Sequence, residues 1–200
     1  MLNRDRDIVT PFLHPGEQLL AAASTSLAPG IPYPPAGLLP PRQPSELEQK
    51  LGKPFNVLRR AYAAVNPVSA AVGAVEDRMM DAVPDSVWHG EGMAGGWHSE
   101  AGLFVRRMRD DSASSVSTFG VTDRRYLVVV DRSKLWQLKE QYALHWEAPR
   151  HAVALHRNPT GILQRGRIDL WFADRSWAGV TTPLPSTADE VAAAAAGPYR

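Results

Sequence analysis

The chain of 200 residues contains no cysteine. Disulfides, thiolate metal sites, a cysteine nucleophile and thiol redox chemistry are therefore excluded, which fits a reducing compartment. Lysine is scarce: 4 of the 22 basic residues, the other 18 being arginine, a bias that suggests GC-rich bacterial coding. Neither sign of charge dominates, with 22 basic against 21 acidic residues, so no global field draws the chain to nucleic acid or any other polyanion. Long apolar runs are missing too. Leu19 to Ala23 is too short for the apolar stretch of a signal peptide, and nothing approaches the roughly 18 apolar residues of a membrane helix, so a cytoplasmic location is expected.

Catalytic and cofactor constellations are equally thin. Gly90-Glu91-Gly92-Met93-Ala94-Gly95 spells the GxGxxG string of dinucleotide sites, but no apolar strand precedes it and Gly96-Trp97-His98-Ser99 follows where a helix should start. A flexible loop or strand-edge segment is expected, with no cofactor. The six histidines lack ligand spacing: His89 and His98 are nine residues apart, His151 and His156 fall on opposite faces of a strand, and His145 with Glu147 reads as a solvated pair. Ser176 stands in a hairpin sequence, Asp174-Arg175-Ser176-Trp177, and Asp110-Asp111 opens a turn, so neither announces hydrolysis. The chain reads as a non-enzyme.

Three zones of composition are present. Pro29 to Pro44 holds seven prolines, an extended connector. Ser45 with Glu48 is a capping-box signal, and apolar residues at helical spacing then run over Phe55 to Val65 and Val68 to Val83. From Gly102 onward the period becomes that of strands. Candidates are Leu103 to Met108, Val116 to Val121, Arg125 to Val130, Tyr142 to Ala148, His151 to Arg157, Arg167 to Ala173 and Trp177 to Thr182, with Glu17 to Thr25 as a further strand ahead of the insertion. Ser186 to Ala196 predicts a terminal helix with Ser186 as its cap. Both faces of Arg125 to Val130 are apolar, so something must cover the outer one; the insertion helices and a second subunit are the candidates. Arg167 to Ala173 alternates, which places Arg167, Asp169 and Trp171 outward.

Several of these segments carry a family likeness. His14-Pro15-Gly16-Glu17-Gln18-Leu19-Leu20, then Phe119-Gly120-Val121-Thr122-Asp123-Arg124-Arg125-Tyr126-Leu127-Val128-Val129-Val130, then Leu144 to Val153 around Ala148-Pro149, resemble the bacterial pleckstrin-homology-like (PH-like, GRAM-like) domains. Thr122-Asp123-Arg124-Arg125 is the most specific piece. The resemblance implies a mainly β domain with α (α+β), a bent antiparallel barrel or sandwich with a C-terminal capping helix. It would be split into residues 12–26 and 100–197, with a Pro-rich, helical insertion over 27–99 and an N-terminal tail over 1–11. It also implies binding or scaffolding and suggests anionic lipid headgroups, whereas the scarce lysines and a net charge of +1 put a protein partner or self-association first, an anionic membrane surface second and an unrecognised enzyme third. In eukaryotic relatives the first hairpin loop often supplies the basic phosphoinositide site, and here the insertion replaces that loop. Candidate anion-binding residues are Arg106, Arg107 and Arg109, read as ending a strand, and Arg124 and Arg125, read as beginning another.

Overall fold

The computed structural model describes residues 2–39, 90–109, 116–133, 140–160 and 164–197. The expected helices between residues 45 and 83 lie outside the described residues. Most of the regular structure among the described residues is antiparallel sheet: β1 (Leu19–Leu27), β2 (Met93–Ala94), β3 (Ser117–Thr122), β4 (Arg125–Asp131), β5 (Tyr142–Pro149), β6 (Val153–Arg157), β7 (Arg167–Phe172) and β8 (Trp177–Thr181). Among the described residues three α-helices accompany it, α1 (Leu2–Val9), α2 (Glu100–Met108) and α3 (Pro185–Ala196). The class is α+β.

The strand order is β5-β4-β3-β1-β8-β7-β6, with β2 paired to β8 beside β1. β1 turns the corner between the two halves: residues Leu19 to Thr25 pair with β3, and Ser26 and Leu27 pair with β8. Among the described residues β5 and β6 are the outer strands and do not pair, so the sheet is open. The main core lies where the inner faces meet, and includes Phe104, Phe119, Tyr126, Val128, Leu170 and Val191. Phe104 sets its ring edge to face with Trp146 at 5.0 Å between centroids, a favoured aromatic geometry.

Two elements differ from the sequence reading. Leu103 to Met108 is not a strand but the body of α2. Its apolar residues follow helical spacing, with Ala101, Phe104 and Val105 buried, and its start is well capped. Ser99 Oγ accepts from the Gly102 amide at 3.1 Å, while the β7–β8 turn supplies Ser176 Oγ to the Ala101 amide and Asp174 Oδ2 to the Glu100 amide. Ser176 is thus a hairpin residue with a second use. At α3 the expected Ser186 cap is not used: the cap residue is Leu184 and Pro185 fills the first turn. Arg150 closes the other end of α3, donating to the carbonyls of Ala194 (3.0 Å), Ala195 and Gly197 (3.0 Å), where a cation complements the helix dipole.

The outer face of β4 has a cover that the sequence does not announce. Leu127 and Val129, on its outer face, pack with Val9 and Ala22, flanked by Ile8, Phe12, Leu13, Leu19 and Tyr142. Among the described residues the cover thus comes largely from Ile8 and Val9, in the segment 1–11 expected as a tail, and from Phe12 and Leu13 just after it, a source not among the expected candidates, the insertion helices and a second subunit, of which the former lie outside the described residues. Gly120 makes the fit possible, since a Cβ at that position would sit 2.9 Å from a Val9 methyl.

Candidate binding surface

The five arginines that the sequence offers as anion ligands are spread over two parts of the fold. Arg125 is buried, its side chain bonded to Glu17 at 2.9 Å through both Nε and Nη2, to the carbonyl of Phe12 and to Glu147. It locks the Pro15-Gly16 turn and the residues before it onto β4. Arg106, on α2, donates from Nε to the carbonyl of Leu38 at 2.9 Å, and Arg109 donates to Ile31 and lies 4.3 Å from the centre of the Tyr33 ring. Both hold the start of the 27–99 segment against α2. Arg107 and Arg124 are exposed; Arg124 sits in the β3–β4 turn near Asp123 and donates to the Gly16 carbonyl. The structure places these five side chains on α2 and at the β3–β4 turn, and most of their hydrogen bonds are internal.

The Glu17 carboxylate shows how tight one of these networks is. Burial works against its charge, but hydrogen bonds from Arg125, from the His14 amide and from Thr122 Oγ1 outweigh it and hold its pKa down to about 2, from an ordinary 4.5. A carboxyl with a depressed folded pKa stabilises the fold above the unfolded value and loses that contribution as pH falls through the folded one. Glu17 should thus contribute up to about 3 kcal/mol at neutral pH, lost between pH 4.5 and about 2. Urea titrations of the natural chain and Glu17→Gln should show a stability gap that narrows across this range; a gap independent of pH would contradict the assignment.

The second half of the sheet has a buried polar layer that alternation alone does not show. Arg167 and Asp169, expected to face solvent, are each 2% exposed. Arg167 pairs with Asp169 at 2.7 Å, donates to Gln164 Oε1 at 3.0 Å and to the Glu91 carbonyl at 2.7 Å, and lies 5.2 Å from the Trp177 ring centre. Asn158 donates to the other oxygen of Asp169. The lid on this layer is the glycine-rich segment. The Gly92 amide donates to Gly30, the Gly179 amide donates to Gly92, and a Cβ at Gly92 would collide with Ile31 at 2.4 Å. Met93 and Ala94 then form β2, so the string expected as a loop or strand edge ends as an edge strand on β8. His145 is also a correction: a bulge opposite Val128 and Val129 breaks the parity of β5, and its ring is buried, with Nε2 2.6 Å from the Arg107 carbonyl.

Beyond this layer the same face turns aromatic. Trp171 is 41% exposed and stands opposite Trp177 across the β7–β8 pair, ring centroids 6.0 Å apart. His156 of β6 meets Trp171 edge-on at 6.2 Å. These three rings form a platform of half-exposed aromatics on the outer face of the sheet, with Trp171 outward as the alternation of β7 predicts. Among the described residues no cluster of three or more His, Asp or Glu side chains is arranged to hold a metal ion. No described helix is long and apolar enough to cross a membrane. No protein-family model matches this chain, and no curated protein matches it either.

Proposed function

We propose that this protein is a non-catalytic binding module with PH-like architecture, and that its partner is a protein docked on the outer face of β6, β7 and β8. The observation that carries the reading is the exposed Trp171 beside Trp177 and His156. Large aromatics on a sheet face are costly to leave in water and are the residue type that dominates protein interfaces. The strand order supports the architecture. Four strands (β5-β4-β3-β1) and three (β8-β7-β6) share a corner strand, and a C-terminal helix packs on both groups, as the family resemblance implies. Anionic lipid is the weaker reading because Arg125, Arg106 and Arg109 are bonded within the fold.

The test is a photo-reactive residue placed at Trp171 and, as a control, at Leu184, which is 56% exposed. Position 171 should give a discrete protein adduct in cells and position 184 should not. Once that protein is purified, Trp171→Ala should weaken its binding by about 30-fold or more, the scale of an interface hot spot, with little change in stability. Equal adducts from both positions, or salt-sensitive sedimentation with anionic vesicles and no effect of Trp171→Ala, would overturn the reading.

A further inference from the structure

One edge of β1 is closed by side chains in place of a strand. Ala28 donates to Gly179 and Ser26 pairs with Thr181, so the even-numbered residues of β1 direct their backbone groups away from β3. Over Leu20 to Ser24, among the described residues, no strand takes that edge. Residues of α1 do. Asp5 accepts from the Ser24 amide at 3.0 Å and from Ser24 Oγ at 2.8 Å, and Arg6 donates to the carbonyls of Leu20 at 3.3 Å and Leu19 at 3.0 Å. An acceptor and a donor thus stand where a neighbouring strand would offer its own carbonyls and amides. Beside them runs a groove of about 320 Å³ lined by Arg6, Leu20, Ala21, Ala22, Glu190 and Ala193, narrow-walled because the strand residues are small, with Leu20 38% exposed at its mouth.

We propose that this edge is a self-pairing surface, that its occupant is β1 of a second copy of this chain in antiparallel register about Ala22, and that Asp5 and Arg6 hold it shut. Charge complementarity selects the occupant. With the two-fold axis at Ala22, Leu20 of each copy lies opposite Ser24 of the other. The Asp5 released from one Ser24 then meets the Arg6 released from the opposing Leu20, and both charges exchange a backbone partner for an opposite charge. In-register parallel pairing would instead bring Asp5 onto Asp5 and Arg6 onto Arg6, which disfavours it. The apolar anchors of α1, Ile8 and Val9, pack with Ala22, Leu127 and Val129 on the outer face, apart from the edge bonds that Asp5 and Arg6 make. This surface is separate from the tryptophan platform and does not depend on it.

The natural chain has no cysteine, so introduced ones report unambiguously. Directly opposed residues in an antiparallel pair have Cα atoms about 4.5–5.5 Å apart, within disulfide reach. Mixing full-length Leu20→Cys and Ser24→Cys chains that keep Asp5 and Arg6 should give a mixed disulfide with neither cysteine chain linking to itself; adding Asp5→Ala and Arg6→Ala, which removes both the lock and the charges that select the register, should raise the total rate of linking about ten-fold while that selectivity falls. Light scattering on the Asp5→Ala, Arg6→Ala chain should show a dimer where the natural chain is monomeric. If circular dichroism shows that the double change disturbs the fold, Arg6→Ala alone, at an exposed position, repeats both measurements with a smaller rise. A folded variant that stays monomeric, or charge-keeping chains that self-link as fast as they cross-link, would overturn the proposal.

Discussion

Deleting residues 2–13 should lower the thermal midpoint by about 10–20 °C, and the truncated chain should bind a hydrophobic dye that the natural chain ignores. The deletion removes Val9, which is fully buried, and the partly buried Ile8, Phe12 and Leu13 that pack with it. What they leave in water are Leu127 and Val129, 0% and 1% exposed in the complete chain. At about 2 kcal/mol for each well-buried side chain, the loss is about 5 kcal/mol, a large share of a typical domain's 5–15 kcal/mol. The buried Arg125 also loses its bond to the Phe12 carbonyl. Scanning calorimetry on the truncated chain checks the figure, and Val9→Ala, which leaves the rest of the cover in place, should cost only 1–2 kcal/mol or so. A truncation that leaves the midpoint unmoved would show that some other part of the chain covers β4.

The sequence announces this cover only through its consequence. Two-sided apolarity in Arg125 to Val130 says that the outer face of β4 is buried, and it is; what buries it is silent, because α1 reads Leu-Asn-Arg-Asp-Arg-Asp-Ile-Val and its apolar residues form no stripe. α2 was legible in principle. Ser99 as a cap and Ala101, Phe104, Val105 and Met108 at helical spacing are all in the sequence, but Leu103, Phe104 and Val105 are also good strand formers, and a run of six residues serves either period. The remaining strands match the sequence pattern to within two residues or so because each has turn material on both sides. Where a side chain points is harder. Arg167 and Asp169 alternate correctly with Ile168 and Leu170, yet the face they occupy is covered by a separate layer, residues 28–31 and 90–94, which meets β8 from far away in the chain. His145 escapes a period-two count because one bulged residue reverses the parity of the strand before it. The tryptophan platform is assembled from β6, β7 and β8, and pairing registers, which decide it, are not written in any one segment.

The same buried layer sets the second large effect. Asp169→Ala should destabilise the chain by about 3–5 kcal/mol, because it strands the Arg167 guanidinium, 2% exposed, without its carboxylate. An unpaired buried charge is the costly outcome, so replacing both partners with apolar residues of similar volume, Arg167→Met with Asp169→Leu, should recover most of the loss even though it removes more hydrogen bonds. The fold and the proposed function respond differently to that rescue. Arg167 also donates to the Glu91 carbonyl and stacks near the Trp177 ring, so the double variant, though stable, no longer tethers the 90–94 segment or steadies Trp177 beside Trp171. Amide exchange at Gly92 and Gly179 should accordingly stay faster than in the natural chain while the global midpoint returns towards it. If the double variant is as unstable as Asp169→Ala, the penalty comes from lost packing around Gly179, where Arg167 Nε and Asp169 Oδ1 would each lie 3.1 Å from an added Cβ, and not from the orphaned charge.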